Sequence, residues 1–430
     1  MKPASSGHSP FGNGDKNSDL SEDFNRFRGR QVSYFTHGIH RFPAKFIPQV
    51  PRFCMEHYSK QGDVVLDPFM GSGTTLLEAM LLGRDSYGID IHPLARLIAR
   101  TKVTPLPIEE LEATADRLLR EIRRDDGDNS GLIPDMPNFD HWFRPDVARN
   151  LATIKKHIWG IPEGPLQDFF KVCFSSIIRR VSNSDTDSLM PEVTSFKKKL
   201  VEQGKTDFDV LTRFENTTRL RMLDFESFSK ELQNCQKRFK RKAKVELIGN
   251  DARDIDLDDS EIDLAVTSPP YASAVHYMVV HKLEMNWLGM LSQEEDIESN
   301  IIGTARAYAE DYNSWEPKGL HPEVDNIASE IAAEDRKSGY TVHKYFADMK
   351  RNLEEVHRVL KRRGTYCIVA GENVLKGKKI PTYELLAKLA ERVGFDVKRV
   401  YDYDIINRHL DVPRWNNSTI LQDHIVILEK

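Results

Sequence analysis

DVVLDPFMGSGTTLLEAMLLG, from Asp63 to Gly83, carries the clearest structural pattern in the sequence. Its opening residues, DVVLDPF, form a short apolar run that predicts a buried strand, and GSGTT predicts a tight turn. TTLLEAMLLG then predicts a helix that ends at Gly83, because glycine is a common helix terminator. SYGIDI, residues 86–91, follows as a second strand that carries Asp90 near its end. Strand, turn, helix and strand in this order indicate an α/β fold.

Strand patterns return in the second half of the chain. Five apolar segments predict strands at residues 244–250, 262–268, 364–371, 395–403 and 424–430. Helical patterns precede or separate the last three, and alternating strands and helices indicate a mostly parallel sheet covered on both faces. The final two strands are separated by a loop and no helix, which predicts a terminal antiparallel hairpin. The sequence therefore predicts a mostly parallel seven-stranded sheet that ends in this hairpin.

Composition and pattern divide the chain into several regions. Residues 1–30 are rich in Gly, Ser, Asn and Asp and bury too little apolar surface to fold, so we expect a flexible tail. Within residues 106–244 the strand patterns stop and helical patterns dominate, which predicts a mainly helical insertion. The insertion divides one α/β domain into residues 31–105 and 245–430. A polar stretch at residues 292–339 predicts a loop insertion within the second part.

Bulk composition limits the class of protein. The 430 residues carry a formal charge of −5, a balance that neither demands nor excludes a nucleic-acid partner. The four cysteines lie far apart, and the Cys and His residues lack the spacing typical of metal sites. No stretch approaches the ~18 apolar residues of a membrane helix, and the N-terminus lacks the apolar core of a signal peptide. We therefore expect a cytoplasmic protein with no metal and no membrane contact.

Four predicted strands end in residues suited to binding a ligand. Asp67, Asp90 and Asp251 follow three of them, and the sequence SPPY, Ser268 to Tyr271, follows the fourth. In an open α/β sheet, ligands bind beyond the carboxyl ends of the strands. We therefore expect these residues to line one cleft.

The turn after the first strand narrows the choice of ligand. Gly71 and Gly73 allow the backbone to pass close to a ligand, and the next helix offers its amide hydrogens. GSGTT lacks the lysine of a phosphate-binding P-loop, and Thr-Thr-Leu after Gly73 does not continue a dinucleotide-binding motif. A ligand with an amine, a carboxylate, a ribose and a base fits better. Asp67 can hold the ammonium group of such a ligand, and Asp90 can hold both ribose hydroxyls.

DPFMGSGTT together with SPPY resembles the amino-group DNA methyltransferases, in particular the branch that methylates the exocyclic N4 amine of cytosine. FPAKFIP, residues 42–48, is similar to the family segment that closes over the methionine end of S-adenosylmethionine. YGIDIHP and GNDARDI resemble the segments that receive the ribose and the adenine. The resemblance covers most of the chain outside the tail and the insertion. It implies a Rossmann-like methyltransferase fold, S-adenosylmethionine as cofactor and double-stranded DNA as substrate.

The resemblance also implies roles for single residues at the cofactor. Asp90 would bind the ribose hydroxyls, and Asp251 would accept a hydrogen bond from the adenine amino group. Lys45 and Phe46 would cover the methionine moiety. The complete predicted cofactor set is Lys45, Phe46, Asp67, Pro68, Phe69, Gly71, Ser72, Gly73, Thr74, Asp90, Asp251 and Ala252.

SPPY provides the predicted catalytic residues Ser268, Pro269, Pro270 and Tyr271. Prolines fix φ and lack an amide hydrogen, so the pair forms a stiff corner just beyond a strand. The lone pair of cytosine N4 is delocalised into the ring until hydrogen-bond acceptors draw the amine hydrogens out of the plane. The Ser268 hydroxyl and the Pro269 carbonyl can do this, and Tyr271 can stack on a base flipped out of the helix. Direct transfer from the sulfonium then needs no covalent enzyme intermediate.

Three alternatives to methylation of cytosine N4 stay open. Ser268 is the first residue of the four-residue motif SPPY, called the tetrad below. Family members with Asp or Asn at this position usually methylate adenine N6, whereas those with serine mostly methylate cytosine N4. The other two alternatives are an RNA methyltransferase and a catalytically idle relative that binds nucleic acid. Methylation of cytosine carbon 5 needs a cysteine nucleophile, typically after proline, and none of the four cysteines follows a proline.

Basic clusters make the insertion, residues 106–244, the candidate DNA-recognition region. RR (Arg179 and Arg180), KKK (residues 197–199) and KRFKRKAK (residues 237–244) can neutralise DNA phosphates. The polar loop insertion is the second candidate. The resemblance implies a bacterial or archaeal cell, and it leaves open a companion restriction endonuclease in that cell.

Overall fold

One large β-sheet organises the protein. The computed structural model describes residues 17–27, 29–43, 45–204, 209–272, 277–291, 297–298, 300–304, 306–405 and 422–430. The strands of these residues, in chain order, are β1 (Asn17–Asp19), β2 (Val64–Asp67), β3 (Asp85–Gly88), β4 (Val245–Leu247), β5 (Ile262–Thr267), β6 (Leu360–Gly371), β7 (Asn373–Leu375), β8 (Lys378–Ile380), β9 (Asp396–Asp404) and β10 (Gln422–Glu429). β7 and β8 form a small antiparallel pair, and the other eight described strands form the large sheet.

The strand order across the large sheet is β1-β9-β10-β6-β5-β2-β3-β4. β4, β3, β2, β5 and β6 run parallel to one another, and β10 lies antiparallel between β6 and β9. The predicted seven-stranded, mostly parallel sheet with a terminal antiparallel hairpin is therefore confirmed. β1 adds an eighth strand, which pairs in parallel with β9 at the edge. The direction of strand addition reverses between β2 and β5, which is where an open α/β sheet binds its ligands.

Helices cover the sheet. In chain order the described α-helices are α1 (Ser21–Asn25), α2 (Gln49–Tyr58), α3 (Thr74–Leu81), α4 (Pro93–Val103), α5 (Ile108–Arg124), α6 (Phe139–Trp142), α7 (Pro145–Trp159), α8 (Pro165–Val181), α9 (Ser195–Glu202), α10 (Val210–Phe239), α11 (Tyr277–Val280), α12 (Lys282–Leu288), α13 (Ala309–Asn313), α14 (Pro322–Glu334), α15 (Arg336–Val359) and α16 (Thr382–Val393). None of these helices is both long and apolar enough to cross a membrane.

Both faces of the sheet are buried. Successive residues of a strand point to opposite faces, and β6 shows both faces packed against helices. Cys367 and Val369 of β6 pack into the layer formed with α2. Tyr366 and Ile368 of the same strand pack into the layer formed with α15 and α16. The predicted three-layer arrangement of helix, sheet and helix is therefore present.

The region predicted as a helical insertion contains α5 to α10, the last of which is 30 residues long. Its apolar side chains share one core with α4 and α12, and so do not form a separate unit. Trp287 of α12 shows this most clearly, since its ring lies 5.7 Å from the ring of Phe143 and 6.1 Å from that of Phe174. The insertion thus packs directly on the helix that follows the proline corner.

The first described residues are folded, contrary to the flexible tail predicted for residues 1–30. Asn17–Asp19 forms β1, and Phe24 is only 2% exposed. The Phe24 ring packs edge-on against Phe53, with ring centroids 6.0 Å apart. Full burial of a phenylalanine contributes roughly 1.5–3 kcal/mol, which holds an otherwise polar segment on the sheet. The tail prediction is therefore wrong for residues 17–27, and its earlier part lies outside the described residues.

The polar stretch at residues 292–339, predicted as a loop, contains α13 and α14. α14 begins at Pro322, a residue favoured in the first helical turn. It buries Val324, Ala328 and Ile331, whose spacing places them on one helical face. The loop prediction is therefore wrong for α14, because a single apolar stripe is enough to fold a helix of mainly polar composition. Residues 292–296, 299 and 305 of this stretch lie outside the described residues.

Candidate active site at the carboxyl ends of the strands

A cleft lies beyond the carboxyl ends of β2, β3 and β5. Its empty space, including the open mouth, is about 920 Å³. The predicted site residues that line it are Lys45, Phe46, Asp67, Pro68, Phe69, Gly71, Ser72, Thr74, Asp90, Asp251, Ala252, Ser268 and Pro270. The glycine turn and the proline corner, far apart in the sequence, therefore share one hollow.

Gly73, Pro269 and Tyr271 are the predicted site residues that do not line this cleft. Gly73 has a φ of +75° and faces α4, where a Cβ at this position would lie 2.9 Å from the Cβ of Ala99. The absence of a side chain at Gly73 therefore allows the glycine turn to pack closely on α4. Pro269 is buried.

The Tyr271 hydroxyl is anchored to β10. It donates a hydrogen bond to Asp423 Oδ1 at 2.8 Å, while the Tyr403 hydroxyl donates to Asp423 Oδ2 at 3.3 Å. Burial and the charge of Asp423 raise the pKa of Tyr271 well above its ordinary value, so its hydroxyl stays protonated and acts as a donor. The anchored hydroxyl fixes the orientation of the ring, and stacking of Tyr271 on a flipped base stays a prediction.

Asp90 receives two backbone hydrogen bonds just beyond β3. The Gly71 amide donates to Oδ2 and the His92 amide to Oδ1, each at 2.8 Å. Gly71 has a φ of +48°, a conformation that glycine adopts readily and that directs its amide toward the carboxylate. Burial raises the pKa of Asp90 to about 6, although both amide donors lower it. Each carboxylate oxygen retains a further acceptor position for a ligand.

Asp67 is 2% exposed at the end of β2. Its Oδ1 accepts hydrogen bonds from Thr267 Oγ1 at 2.6 Å and from the Phe69 amide at 3.1 Å. Burial raises the pKa of Asp67 to about 6, and the hydrogen bonds act in the opposite direction. Because Thr267 ends β5, the bond to Asp67 joins the strand of the glycine turn to the strand of the proline corner.

Asp251 is oriented by Arg253. The Arg253 amide, Nε and one terminal guanidinium nitrogen each donate a hydrogen bond of 2.9 Å to its carboxylate. The same guanidinium donates to Asp348 of α15 at 3.0 Å. Burial acts to raise the pKa of Asp251, but the hydrogen bonds and charge of Arg253 outweigh it and lower the pKa. The carboxylate is therefore ionised and held in a fixed orientation.

Several cleft residues stand outside the predicted set. Phe42 and Tyr277 both line the cleft, and their rings are nearly parallel at 17° with centroids 6.0 Å apart. Phe42 also stacks on His281 at 5.2 Å. Phe42 belongs to the FPAKFIP segment, and Tyr277 lies a few residues after the proline corner, so both positions carried a weak signal. Ile301 and Ile302 line the cleft as well, and they belong to no motif that could have identified them.

The basic cluster KRFKRKAK lies away from the cleft. Its residue Arg241 donates to the Gly83 carbonyl at 2.8 Å and to Asp85 Oδ2 at 2.7 Å. Asp85 begins β3, whereas the cleft lies beyond the opposite end of that strand, at Asp90. The cluster is therefore at the far edge of the sheet from the cleft, which argues against its contact with phosphates close to the target base.

Two adjacent arginines of α8 have opposite surroundings. Arg179 is 8% exposed, and its guanidinium donates to four backbone carbonyls of the segment that follows α8. Arg180 is exposed. Partial burial lowers the pKa of Arg180, and so do its cationic neighbours Arg213, Arg221 and Arg41. Arg179 is therefore a structural residue, whereas Arg180 belongs to a cationic surface formed with these three arginines, of which Arg221 also pairs with Asp224 at 2.6 Å.

Comparison with known proteins gives relatives along most of the chain. A family model of N6 and N4 methyltransferases, described as DNA methylase, matches residues 13–100. The Type II methyltransferase M.MvaI of Kocuria varians is 26% identical over 411 residues, which cover 90% of this chain and 88% of the relative. The Type II methyltransferase M.BsoBI of Geobacillus stearothermophilus is 25% identical, with 89% of this chain and 84% of the relative covered. M.MjaII of Methanocaldococcus jannaschii is 40% identical over 89 residues, which cover 21% and 17% of the two chains.

Solved structures are less similar. An S-adenosylmethionine-dependent methyltransferase from Methanosarcina mazei aligns with a TM-score of 0.32 and 11% identity, over 91% of this chain and 98% of that one. TrmN from Thermus thermophilus aligns with a TM-score of 0.31 and 9% identity, over 93% and 53%. Scores this low carry no argument about this protein. The family match over residues 13–100 and the two relatives that align along most of the chain agree with the motifs, and they support the amino-group DNA methyltransferases, which use S-adenosylmethionine, as the family that this chain resembles.

Proposed function

We propose that this DNA methyltransferase acts on the exocyclic N4 amine of cytosine within a short sequence of double-stranded DNA. The observation that supports this most strongly is that Ser268 lines the same cleft as Asp67 and Gly71. A methyl donor held at the glycine turn and a flipped base held at the proline corner can meet there. Serine at the first position of the tetrad favours cytosine, because family members that methylate adenine usually have Asp or Asn.

The residues of the cleft fit S-adenosylmethionine, which supplies, when bound, a methyl group on a positively charged sulfur. Asp67 can hold the ammonium group of the methionine moiety. Asp90 retains an acceptor position on each oxygen and can accept hydrogen bonds from both ribose hydroxyls. Asp251, oriented by Arg253, can accept one from the adenine amino group. The remaining contacts are assigned to Lys45, Phe46, Pro68, Phe69, Gly71, Ser72, Thr74 and Ala252, all of which line the cleft.

Ser268 and Pro269 act on the target amine. The Ser268 hydroxyl accepts a hydrogen bond from one amine hydrogen and the Pro269 carbonyl accepts one from the other, which localises the nitrogen lone pair. Held in this way, the nitrogen would take the methyl group that S-adenosylmethionine supplies, the sulfur would leave as a neutral thioether, and the amine would give up one proton to water from the side of the Ser268 and Pro269 acceptors. Both acceptors are positioned in advance, because proline fixes φ and because Thr267, the preceding residue, is bonded to Asp67.

We propose that the cationic surface of Arg41, Arg180, Arg213 and Arg221 contacts the DNA backbone. Its two helices, α8 and α10, pack together within the predicted recognition region. A Cβ at Gly38 would lie 3.6 Å from a terminal guanidinium nitrogen of Arg221, and the carbonyl of the preceding residue, His37, accepts a hydrogen bond from Lys45 at 3.0 Å. The surface therefore adjoins Lys45, which lines the cleft. Cations beside the cleft can neutralise the phosphates that flank a flipped base.

A companion restriction endonuclease is also proposed, because the relatives are named Type II methyltransferases. DNA methylated by this protein should then resist cleavage by an extract of the source cell that cuts unmethylated DNA. Equal cutting of the two DNAs would contradict the companion.

The methylated nucleoside tests the target. Unmodified duplex DNA is incubated with the protein and labelled S-adenosylmethionine, digested, and analysed by mass spectrometry. N4-methylcytosine supports the proposal, and N6-methyladenine would replace cytosine by adenine. Label that enters RNA alone would contradict a DNA substrate. A Ser268→Ala protein, purified in the same way, controls for contaminating methyltransferases.

A further inference from the structure

Lys102 is a buried lysine at the end of α4 and belongs to no predicted motif. Its side chain is 1% exposed, and its Nζ donates a hydrogen bond to Ser72 Oγ at 3.2 Å. The backbone at this position is fixed as well, because the Lys102 carbonyl accepts a hydrogen bond from Thr36 Oγ1 at 2.8 Å. Burying an ammonium group is strongly unfavourable unless an anion compensates its charge. A buried lysine such as Lys102 is therefore expected to have an anionic partner.

No carboxylate of the described residues compensates this charge. Burial and the positive charge of Lys45 lower the pKa of Lys102 well below its ordinary value. The buried carboxylate of Glu78 is already engaged, since it accepts a hydrogen bond from Arg52 Nε at 2.7 Å and another from His37 Nε2 at 2.8 Å. Lys102 thus lacks an anionic partner within the described part of the protein.

Lys45 is a second lysine near Ser72. Its Nζ donates to the His37 carbonyl at 3.0 Å, and its side chain lines the cleft together with Ser72. Ser72 is the second residue of the GSGTT turn. Two lysines therefore lie near Ser72, of which Lys45 lines the cleft and Lys102 is buried behind the Ser72 hydroxyl.

We propose that Lys45 and Lys102, the latter acting through Ser72, form the binding subsite for the carboxylate of the methionine moiety. Because Lys102 donates to Ser72 Oγ, the hydroxyl hydrogen of Ser72 is available to donate into the cleft. The carboxylate is the anionic group of S-adenosylmethionine, and its charge beside Lys102 favours the protonated form of this lysine, so that two cations hold it. Asp67 takes the ammonium group of the same moiety, and each charge of the zwitterion meets its opposite. Lys102 is thus a positioning residue, and the inference rests on the assignment of this cleft to S-adenosylmethionine.

Binding of two ligands to the free protein tests the subsite. Lys102→Met removes the charge and keeps a side chain of similar length. Isothermal titration calorimetry should show that S-adenosylmethionine binds this variant about tenfold to a hundredfold more weakly, the usual loss for a charged hydrogen-bond partner. Decarboxylated S-adenosylmethionine, which lacks the carboxylate, should bind the variant and the unaltered protein within about twofold of each other.

A second variant and a control complete the test. Ser72→Ala removes the hydroxyl and should show the same discrimination between the two ligands, so the inference stays testable if Lys102→Met fails to fold. Lys230→Met on α10, where Lys230 is exposed and bonded to Glu226 at 2.6 Å, should change neither affinity. Equal losses for both ligands, or no loss for either, would overturn the subsite. The titration contains no DNA, so an error in the assigned target base would leave its result unchanged.

Discussion

Thr267 donates a 2.6 Å hydrogen bond from Oγ1 to Oδ1 of Asp67, although the two residues are 200 positions apart in the chain. Thr267 ends β5 and Asp67 ends β2, and these strands are parallel neighbours in the sheet. Both side chains are buried. The bond thus connects the residue before Ser268 with the residue that begins the DPFMGSG turn, and it fixes the two halves of the cleft relative to each other.

Thr267→Val should weaken this connection without a large change of side-chain volume. The variant leaves a buried carboxylate oxygen with one donor fewer, which lowers the free energy of unfolding by about 1–3 kcal/mol. Urea denaturation at neutral pH measures the loss. Thr101→Val is the matched control, because Thr101 Oγ1 is also buried but bonds to the Leu97 carbonyl of its own helix at 2.8 Å. A loss no larger than that of the control would argue against the connecting role.

The sheet and most of the cleft were predictable because their signals are local in the sequence. An apolar strand followed by a glycine turn, with Asp67 and Asp90 at strand ends, places the ligand site without knowledge of distant contacts. Gly73 was assigned to the cofactor, yet its positive φ and its approach to Ala99 show that it packs on α4. That contact depends on where a later helix lies, which local sequence does not reveal.

Residues outside the motifs were not predictable. Lys102 is an unremarkable lysine in a helical pattern, and only the packing of α4 against the glycine turn brings it to Ser72. Phe24 was assigned to a flexible tail because the residues around it are polar. A single buried ring outweighed that composition, since the fold supplied an apolar surface beside Phe53 and Tyr403. Composition shows how much apolar surface a segment offers. Whether that surface is buried also depends on the apolar surface that the rest of the fold presents to the segment.

Affinity for S-adenosylmethionine should fall as the pH is lowered through 6. Burial raises the pKa of Asp67 to about 6, so below that pH the free protein holds Asp67 neutral and offers no negative charge to the ammonium group. At about pH 5 the loss should be about tenfold for Asp67 alone, because only about one carboxyl in ten is then ionised. Stability of the free protein changes in the opposite sense. The folded state holds this proton to a higher pH than the unfolded chain, so stability from Asp67 falls as the pH rises from about 4 to about 6.

Calorimetric titration at several pH values measures this dependence. Asp67→Asn should bind weakly and reduce the dependence to the part that comes from Asp90, whose pKa burial also raises to about 6. Burial lowers the pKa values of His37, His40 and His92 to about 4, so these histidines do not titrate in the same window. Burial raises the pKa of Glu284 to about 7. An unchanged dependence in Asp67→Asn would therefore contradict the assignment and point to another carboxyl.

Ser268→Ala should slow methyl transfer and leave cofactor binding nearly intact. Loss of one preorganised hydrogen-bonding group at a reacting centre slows chemistry by about a hundredfold. A single-turnover measurement gives the rate, and calorimetry should give a dissociation constant for S-adenosylmethionine within about twofold of that of the unaltered protein. Ser176→Ala is the control for the chemical change, since Ser176 lies in α8 and donates to the Cys173 carbonyl at 2.8 Å. Loss of cofactor binding in Ser268→Ala would contradict the catalytic role of Ser268.

Arg180→Ala should weaken binding to duplex DNA and reduce the salt dependence of that binding. Arg180 is exposed on the cationic surface, and loss of one phosphate contact lowers the slope of log affinity against log salt concentration by about 1. Arg219→Ala is the matched control on α10. Arg219 is also exposed but pairs with Asp116 at 2.7 Å and Glu215 at 4.0 Å, so its charge is already compensated. Fluorescence anisotropy with a labelled duplex gives both slopes, and equal slopes for the two variants would remove Arg180 from the DNA interface.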